Sequence, residues 1–186
     1  MCVELSRIYG KECVGILEKL APFFLRRAKV GNHEGIRTLS IGAVAESIMV
    51  GNPDTSRLLP IIMPTLINGM SDENEVVMRN CAFCVGISLQ NSSSGAITYI
   101  QESLLKLGKL IQSQEVPAVV KDNAISALCR IATTFIEHIP IDQVFLGIIS
   151  GLPLKEDQDE NNNVYESICK ILSLRPQVVC FTFAFY

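Results

Sequence analysis

Val120-Lys121-Asp122-Asn123-Ala124-Ile125 superposes on three other blocks of the same chain. Upstream stand Ile36-Arg37-Thr38-Leu39-Ser40-Ile41 and Val77-Met78-Arg79-Asn80-Cys81-Ala82; downstream, more loosely, stands Val164-Tyr165-Glu166-Ser167-Ile168-Cys169. Their first residues are separated by 41, 43 and 44 positions. A recurrence of about 40–47 residues fits a repeated pair of helices, each too small to bury its own apolar face and therefore stacked on its neighbours.

The intervening sequence agrees. Val14, Leu17, Leu20, Phe24 and Leu25 fall at helical spacing, as do Leu104, Leu107, Leu110 and Ile111, and Ile125, Leu128, Ile131 and Ala132. Strict alternation, the signature of a strand, has one candidate, the tail Val178–Tyr186. Turn and cap residues break the pattern at Gly31-Asn32, Gly51-Asn52-Pro53-Asp54, Ser71-Asp72-Glu73-Asn74, Asn91-Ser92-Ser93-Ser94-Gly95, Glu115-Val116-Pro117, Ile139-Pro140 and Asp157-Gln158-Asp159-Glu160. Pro117 and Pro140 suit the first turn of a helix. Cutting there predicts eight helices, near 11–28, 34–50, 55–70, 75–90, 96–113, 118–136, 141–153 and 162–174. They pair into hairpins at about 11–50, 55–90, 96–136 and 141–174. The expected fold is all-α, an α-α superhelix of the HEAT or armadillo type over residues 1–174, with a divergent apolar tail at 175–186. Four hairpins form an arc with open ends, which suggests a segment of a longer solenoid.

Composition narrows the function. The 186 residues are 48% hydrophobic and 19% charged, rich enough in apolar groups to fold. The net charge of -3 argues against direct binding of nucleic acid. Residues 1–30 carry six basic against three acidic groups, and the remainder ten against sixteen, so the acidic excess lies in the later repeats. Seven cysteines at irregular spacing fit reduced thiols. The amino terminus has no basic segment followed by an apolar core, so no secretory signal is expected. The apolar runs are too short to cross a membrane.

Four stretches carry a family resemblance: Arg57-Leu-Leu-Pro-Ile-Ile-Met, Glu75-Val-Val-Met-Arg-Asn-Cys-Ala-Phe, Val120-Lys-Asp-Asn-Ala-Ile-Ser-Ala-Leu-Cys-Arg-Ile and Gly151-Leu-Pro-Leu-Lys-Glu-Asp. Over about residues 13–174 the chain resembles the C-terminal HEAT repeats of the importin-beta (karyopherin-beta) nuclear transport receptors, nearest to their importin-four branch. The resemblance implies a protein that moves between cytoplasm and nucleus. It implies second helices that line a concave surface holding basic cargo such as histones or ribosomal proteins. It also implies Ran GTPase and nucleoporins as partners of the full-length receptor. The tail Val178–Tyr186 shows no family pattern.

On that basis the expected cargo-binding residues are Asn80, Asn123, Glu34, Glu46, Glu75 and Asp122. Asn80 and Asn123 occupy equivalent positions, and an exposed amide can grip a peptide backbone with both a donor and an acceptor. The competing reading has each bridging to a neighbouring helix. The acids would attract Lys/Arg-rich segments, or simply be solvated. Arg37 and Lys121, also equivalent, are expected to pair with loop acids of the adjacent repeat. Glu156, Asp157, Asp159 and Glu160 read as a solvated turn in preference to a landing patch for basic tails. Cys81-x-x-Cys84 lies within a helical stripe without a second ligand pair and reads as core. His33 and His138 lie beside turns and read as caps or loop residues. No catalytic constellation, metal site or cofactor is expected. A HEAT scaffold or regulatory subunit of a protein complex is the alternative function.

Overall fold

The computed structural model describes residues 2–179. It contains α1 (Cys2–Tyr9), α2 (Val14–Arg27), α3 (Glu34–Gly51), α4 (Leu59–Gly69), α5 (Glu75–Gln90), α6 (Ile97–Gln112), α7 (Ala118–Thr134), α8 (Ile141–Ser150) and α9 (Asn161–Leu174). Short 3-10 turns occupy Gly10–Cys13, Ser94–Ala96 and Gln158–Glu160. No strand forms among the described residues; an isolated bridge joins Val30 and Asn32. Of the tail expected at 175–186, residues 180–186 lie outside the described residues, and Val178 is buried in the core.

Local chemistry sets the helix starts. Asn74 accepts the N–H groups of Val76 and Val77, both at 3.1 Å, and so caps α5. His33 Nδ1 accepts the Gly35 N–H at 3.2 Å and caps α3. Pro117 and Pro140 stand immediately before α7 and α8, one place outside the expected first turn, where the helix still needs no donor from them. Asn52, with φ 44°, ends α3 in the left-handed conformation that asparagine tolerates.

The helices form two layers. α2, α4, α6 and α8 follow one another in the first; α1, α3, α5, α7 and α9 follow one another in the second. Each pair α2–α3, α4–α5 and α6–α7 packs as a hairpin. The stack is an α-α superhelix of the HEAT type. The fourth pair differs, because α8 leans chiefly on α7 rather than on α9.

The first helix also differs from expectation, which began at residue 11. Cys2–Tyr9 forms a helix that lies on α3, in the second-helix layer. It buries only Cys2 and Ser6, one turn apart, and so leaves no apolar stripe to be read. Cys2 Sγ accepts a hydrogen bond from Ser47 at 3.2 Å. Gly51 admits the approach: a methyl group there would come within 3.0 Å of the Gly10 carbonyl.

The tightest junction is α5 against α7. A Cβ on Gly86 would lie 2.7 Å from Ala127 Cα and 2.8 Å from its Cβ, so only a glycine allows the two backbones to meet here. α7 is enclosed as a result, with every residue from Asp122 to Ala132 buried. Val77, Cys81, Val85 and Leu89 of α5 and Val120, Ala124, Leu128 and Ile131 of α7 belong to the continuous core. Gly86→Ala should therefore force the helices apart and cost about 1–3 kcal/mol, the usual penalty of overpacking. Urea denaturation checks this; an unchanged midpoint would contradict the contact.

Candidate functional site

α7 carries polar residues at 122, 123, 126 and 130, a spacing that places them on one side of the helix. The first two are among the residues expected to contact cargo. The structure lays the segment 154–160 and the start of α9 over them. One oxygen of Asp122 accepts three backbone N–H bonds, from Lys155 at 2.9 Å, Glu156 at 2.7 Å and Asp157 at 2.9 Å. Asn123 donates to the Val119 carbonyl at 2.9 Å and to Asp157 Oδ2 at 2.7 Å. Arg130 pairs with Glu160 at 2.5 Å, and its guanidinium lies 5.3 Å from the centre of the Phe83 ring. Ser126 joins the same group through Glu160, Arg130 and Asn163.

Asp122 and Asn123 must therefore be corrected as cargo contacts. At 1% and 4% exposure, their polar atoms are spent inside the molecule. Burying a carboxylate is costly unless hydrogen bonds replace its water, and three aligned N–H groups do so here. Asn80 follows the competing reading: it is half-buried and donates to the Thr38 carbonyl of α3 at 3.3 Å, which ties neighbouring repeats together. The loop acids also behave differently from a solvated turn. Asp157 and Glu160 bind α7, whereas Glu156 and Asp159 are exposed.

The first junction uses the same device with the charges exchanged. Arg37 on α3 pairs with Asp72 from the turn before α5, and Asp72 also accepts the Asn74 N–H at 2.9 Å. Arg37 thus meets an acid of the next repeat, as expected. Its equivalent Lys121 forms no ion pair among the described residues. The spacing is common to both junctions: Arg37 and Asp72 are 35 positions apart, as are Asp122 and the Asp157 N–H it binds. That recurrence was the available signal for the loop acids.

Three expected residues remain on the surface. Glu34 and Glu75 are equivalent, each opening its helix, where a carboxylate favours the helix dipole. Glu34 accepts from Asn74 Nδ2 at 3.0 Å. Glu75 and Glu46 are exposed, and their side chains form no ion pair or hydrogen bond among the described residues. Glu46 stands twelve residues beyond Glu34, about 18 Å along α3 at 1.5 Å per residue. The acids are thus spread over the second-helix layer rather than gathered into a pocket.

A recess of about 810 Å3 lies between α6 and α8, with Leu104, Leu105, Val144 and two open glycines, Gly108 and Gly147, along it. Its titratable groups are Lys109 and His138. No group of three His, Cys, Asp or Glu side chains converges among the described residues. Burial pushes the thiols of Cys84 and Cys129 up to about 12, and raises Cys81 well above its ordinary value. Cys81 and Cys84 are core residues, as expected. No helix among the described residues is long and apolar enough to cross a membrane.

These features define a helical-repeat protein whose polar chemistry joins repeat to repeat. Its relatives specify the family. The chain is 32% identical over 142 residues to a probable importin subunit beta-4 of Schizosaccharomyces pombe, covering 76% of this chain and 13% of that protein. It is 23% identical to a probable importin-5 homologue of Dictyostelium discoideum, covering 91% of this chain and 17% of that protein. It is 25% identical over 150 residues to human importin-4, covering 77% of this chain and 14% of that protein. No protein-family model matches. The chain is a homologue of the importin-beta family, and it spans about one seventh of the length of these relatives.

Two outcomes test this chemistry. Asp122→Ala should cost about 3 kcal/mol, because it removes a buried charged acceptor that three backbone N–H groups share, whereas Glu156→Ala should cost less than about 0.5 kcal/mol. Comparative denaturation checks the contrast. Among the cysteines of the described residues, a maleimide should label exposed Cys169 first in the folded protein and leave Cys81, Cys84 and Cys129 unmodified until denaturant is added; mass spectrometry of the labelled peptides reads the order.

Proposed function

We propose that this chain forms part of the cargo-holding surface of a nuclear transport receptor, corresponding to C-terminal repeats of the importin-beta family. The observation that carries this reading is that Glu46 and Glu75, on successive second helices, are exposed and have no partner among the described residues, in a chain related to importins. Such acids, with Glu34 beside them, attract the Lys/Arg-rich segments of basic proteins such as histones or ribosomal proteins. Because they are spread out, they suit an extended peptide touched at several points rather than one deep anchor. Asn80, Asn123 and Asp122 serve this surface indirectly, by setting the positions of the helices. The whole receptor would move between cytoplasm and nucleus and engage Ran GTPase and nucleoporins.

A titration with a Lys/Arg-rich histone-tail peptide, followed by fluorescence anisotropy, tests the reading. Glu46→Gln with Glu75→Gln should weaken binding about 5–30-fold at low salt, at about 0.5–1 kcal/mol for each carboxylate contact with the several cations it attracts. The affinity of the unaltered chain should fall steadily as ionic strength rises, since exposed charges are screened beyond about 8–10 Å at physiological salt. Binding that ignores both the substitutions and the salt would refute an acidic cargo surface and favour the scaffold alternative.

A further inference from the structure

The junction between the second and third hairpins differs from its neighbours. In the first and last junctions a loop acid crosses to the preceding second helix: Asp72 to Arg37 and Asp157 to Asn123. In the middle, Glu115 is exposed and its side chain makes no such link. A recess of about 300 Å3 opens there instead, lined among others by Met70, Ser71, Asp72, Lys106, Lys109 and Val116. Ser71 is exposed in the turn after α4, and that turn is held by the Ser71 N–H bonded to the Asn68 carbonyl at 3.0 Å. Lys106 reaches across from α6 and donates to Ser71 Oγ at 2.8 Å. Lys109, one turn further along the same face, lines the same recess and has no acidic partner among the described residues.

We infer that Ser71 is a phosphorylation site and that the phosphoryl group, held by Lys106 and Lys109, clamps the second hairpin to the third. Four observations support it. The hydroxyl is accessible. Its lysine partner belongs to another repeat, so a stronger bond at this point acts between repeats. The nearest carboxylate, Asp72, is engaged by Arg37 and the Asn74 N–H, which reduces its repulsion of a phosphate. Glu73 and Glu75, both exposed, stand two and four residues after it and present an acidic context of the kind that acid-directed serine kinases read. In the reaction Ser71 Oγ bonds to the γ-phosphorus of ATP, the bridging bond to ADP breaks, and the hydroxyl proton passes to the kinase's base. The product carries a charge of about -1.5 to -2 and three acceptor oxygens, enough to bind both ammonium groups where the hydroxyl binds one.

The test treats the full chain with an acid-directed serine kinase and Mg-ATP, maps the phosphate by mass spectrometry, and compares thermal melts. Phosphate is expected on Ser71, with the midpoint raised by about 2–4 °C at low salt. The rise should disappear in Ser71→Ala treated in the same way, and in Lys106→Ala with Lys109→Ala even though that variant is still phosphorylated. Phosphate that bypasses Ser71 would overturn the inference. So would a phosphorylated Ser71 that leaves the midpoint unchanged, or a rise that survives loss of both lysines.

Discussion

The close approach of α5 and α7 is the constraint on which the rest of the stack depends. Gly86 places its backbone against Ala127, and no larger residue fits at that separation. With α5 on one side, α9 and the fourth-hairpin loop on another, and α6 and α8 behind, α7 becomes a core helix rather than a surface helix. Once enclosed, its polar residues must find partners within the protein, because an unpaired buried donor or acceptor costs free energy comparable to a lost hydrogen bond. The loop 154–160 and Asn163 of α9 provide most of them, while Arg130 Nε is left without one among the described residues.

This explains why the junctions are polar while the layers are apolar. Apolar burial draws helices together but is indifferent to small sliding movements. A carboxylate holding three successive N–H groups, or an arginine facing an acid across a repeat boundary, fixes one register. In the first junction the cation lies on the helix and the acid on the loop; in the last, the acid lies on the helix and binds loop backbone. Both solutions place a polar anchor near the start of a second helix, next to the turn of the following repeat. The middle junction relies instead on the Gly86 contact and on the lysine of α6 that reaches Ser71.

A surface for basic cargo is then what the junctions leave unused. Glu46 and Glu75 remain exposed without partners among the described residues, whereas Asp122, the acid whose sequence position looked equally suitable, is buried and accepts three backbone N–H bonds. Acidic character in a sequence does not distinguish the two roles. A carboxylate attracts lysine chains from solution and backbone N–H groups from a nearby loop by the same electrostatics, and only the distance to that loop decides between them.

The helical class, the four-fold repetition and the positions of most turns were legible in the sequence, because a period of 41 to 44 residues and an apolar stripe at helical spacing are local properties of the chain. The relationship to importins was legible in the four blocks for the same reason. The helix Cys2–Tyr9 was not, since it buries little and depends on α3 for support. Nor was the fate of Asn80, Asn123 and Asp122, whose side chains point out of their own helices but into another repeat. Helical periodicity tells which residues share a face; what lies against that face is set by contacts between residues 34 to 42 positions apart, and these exist only once the repeats have stacked.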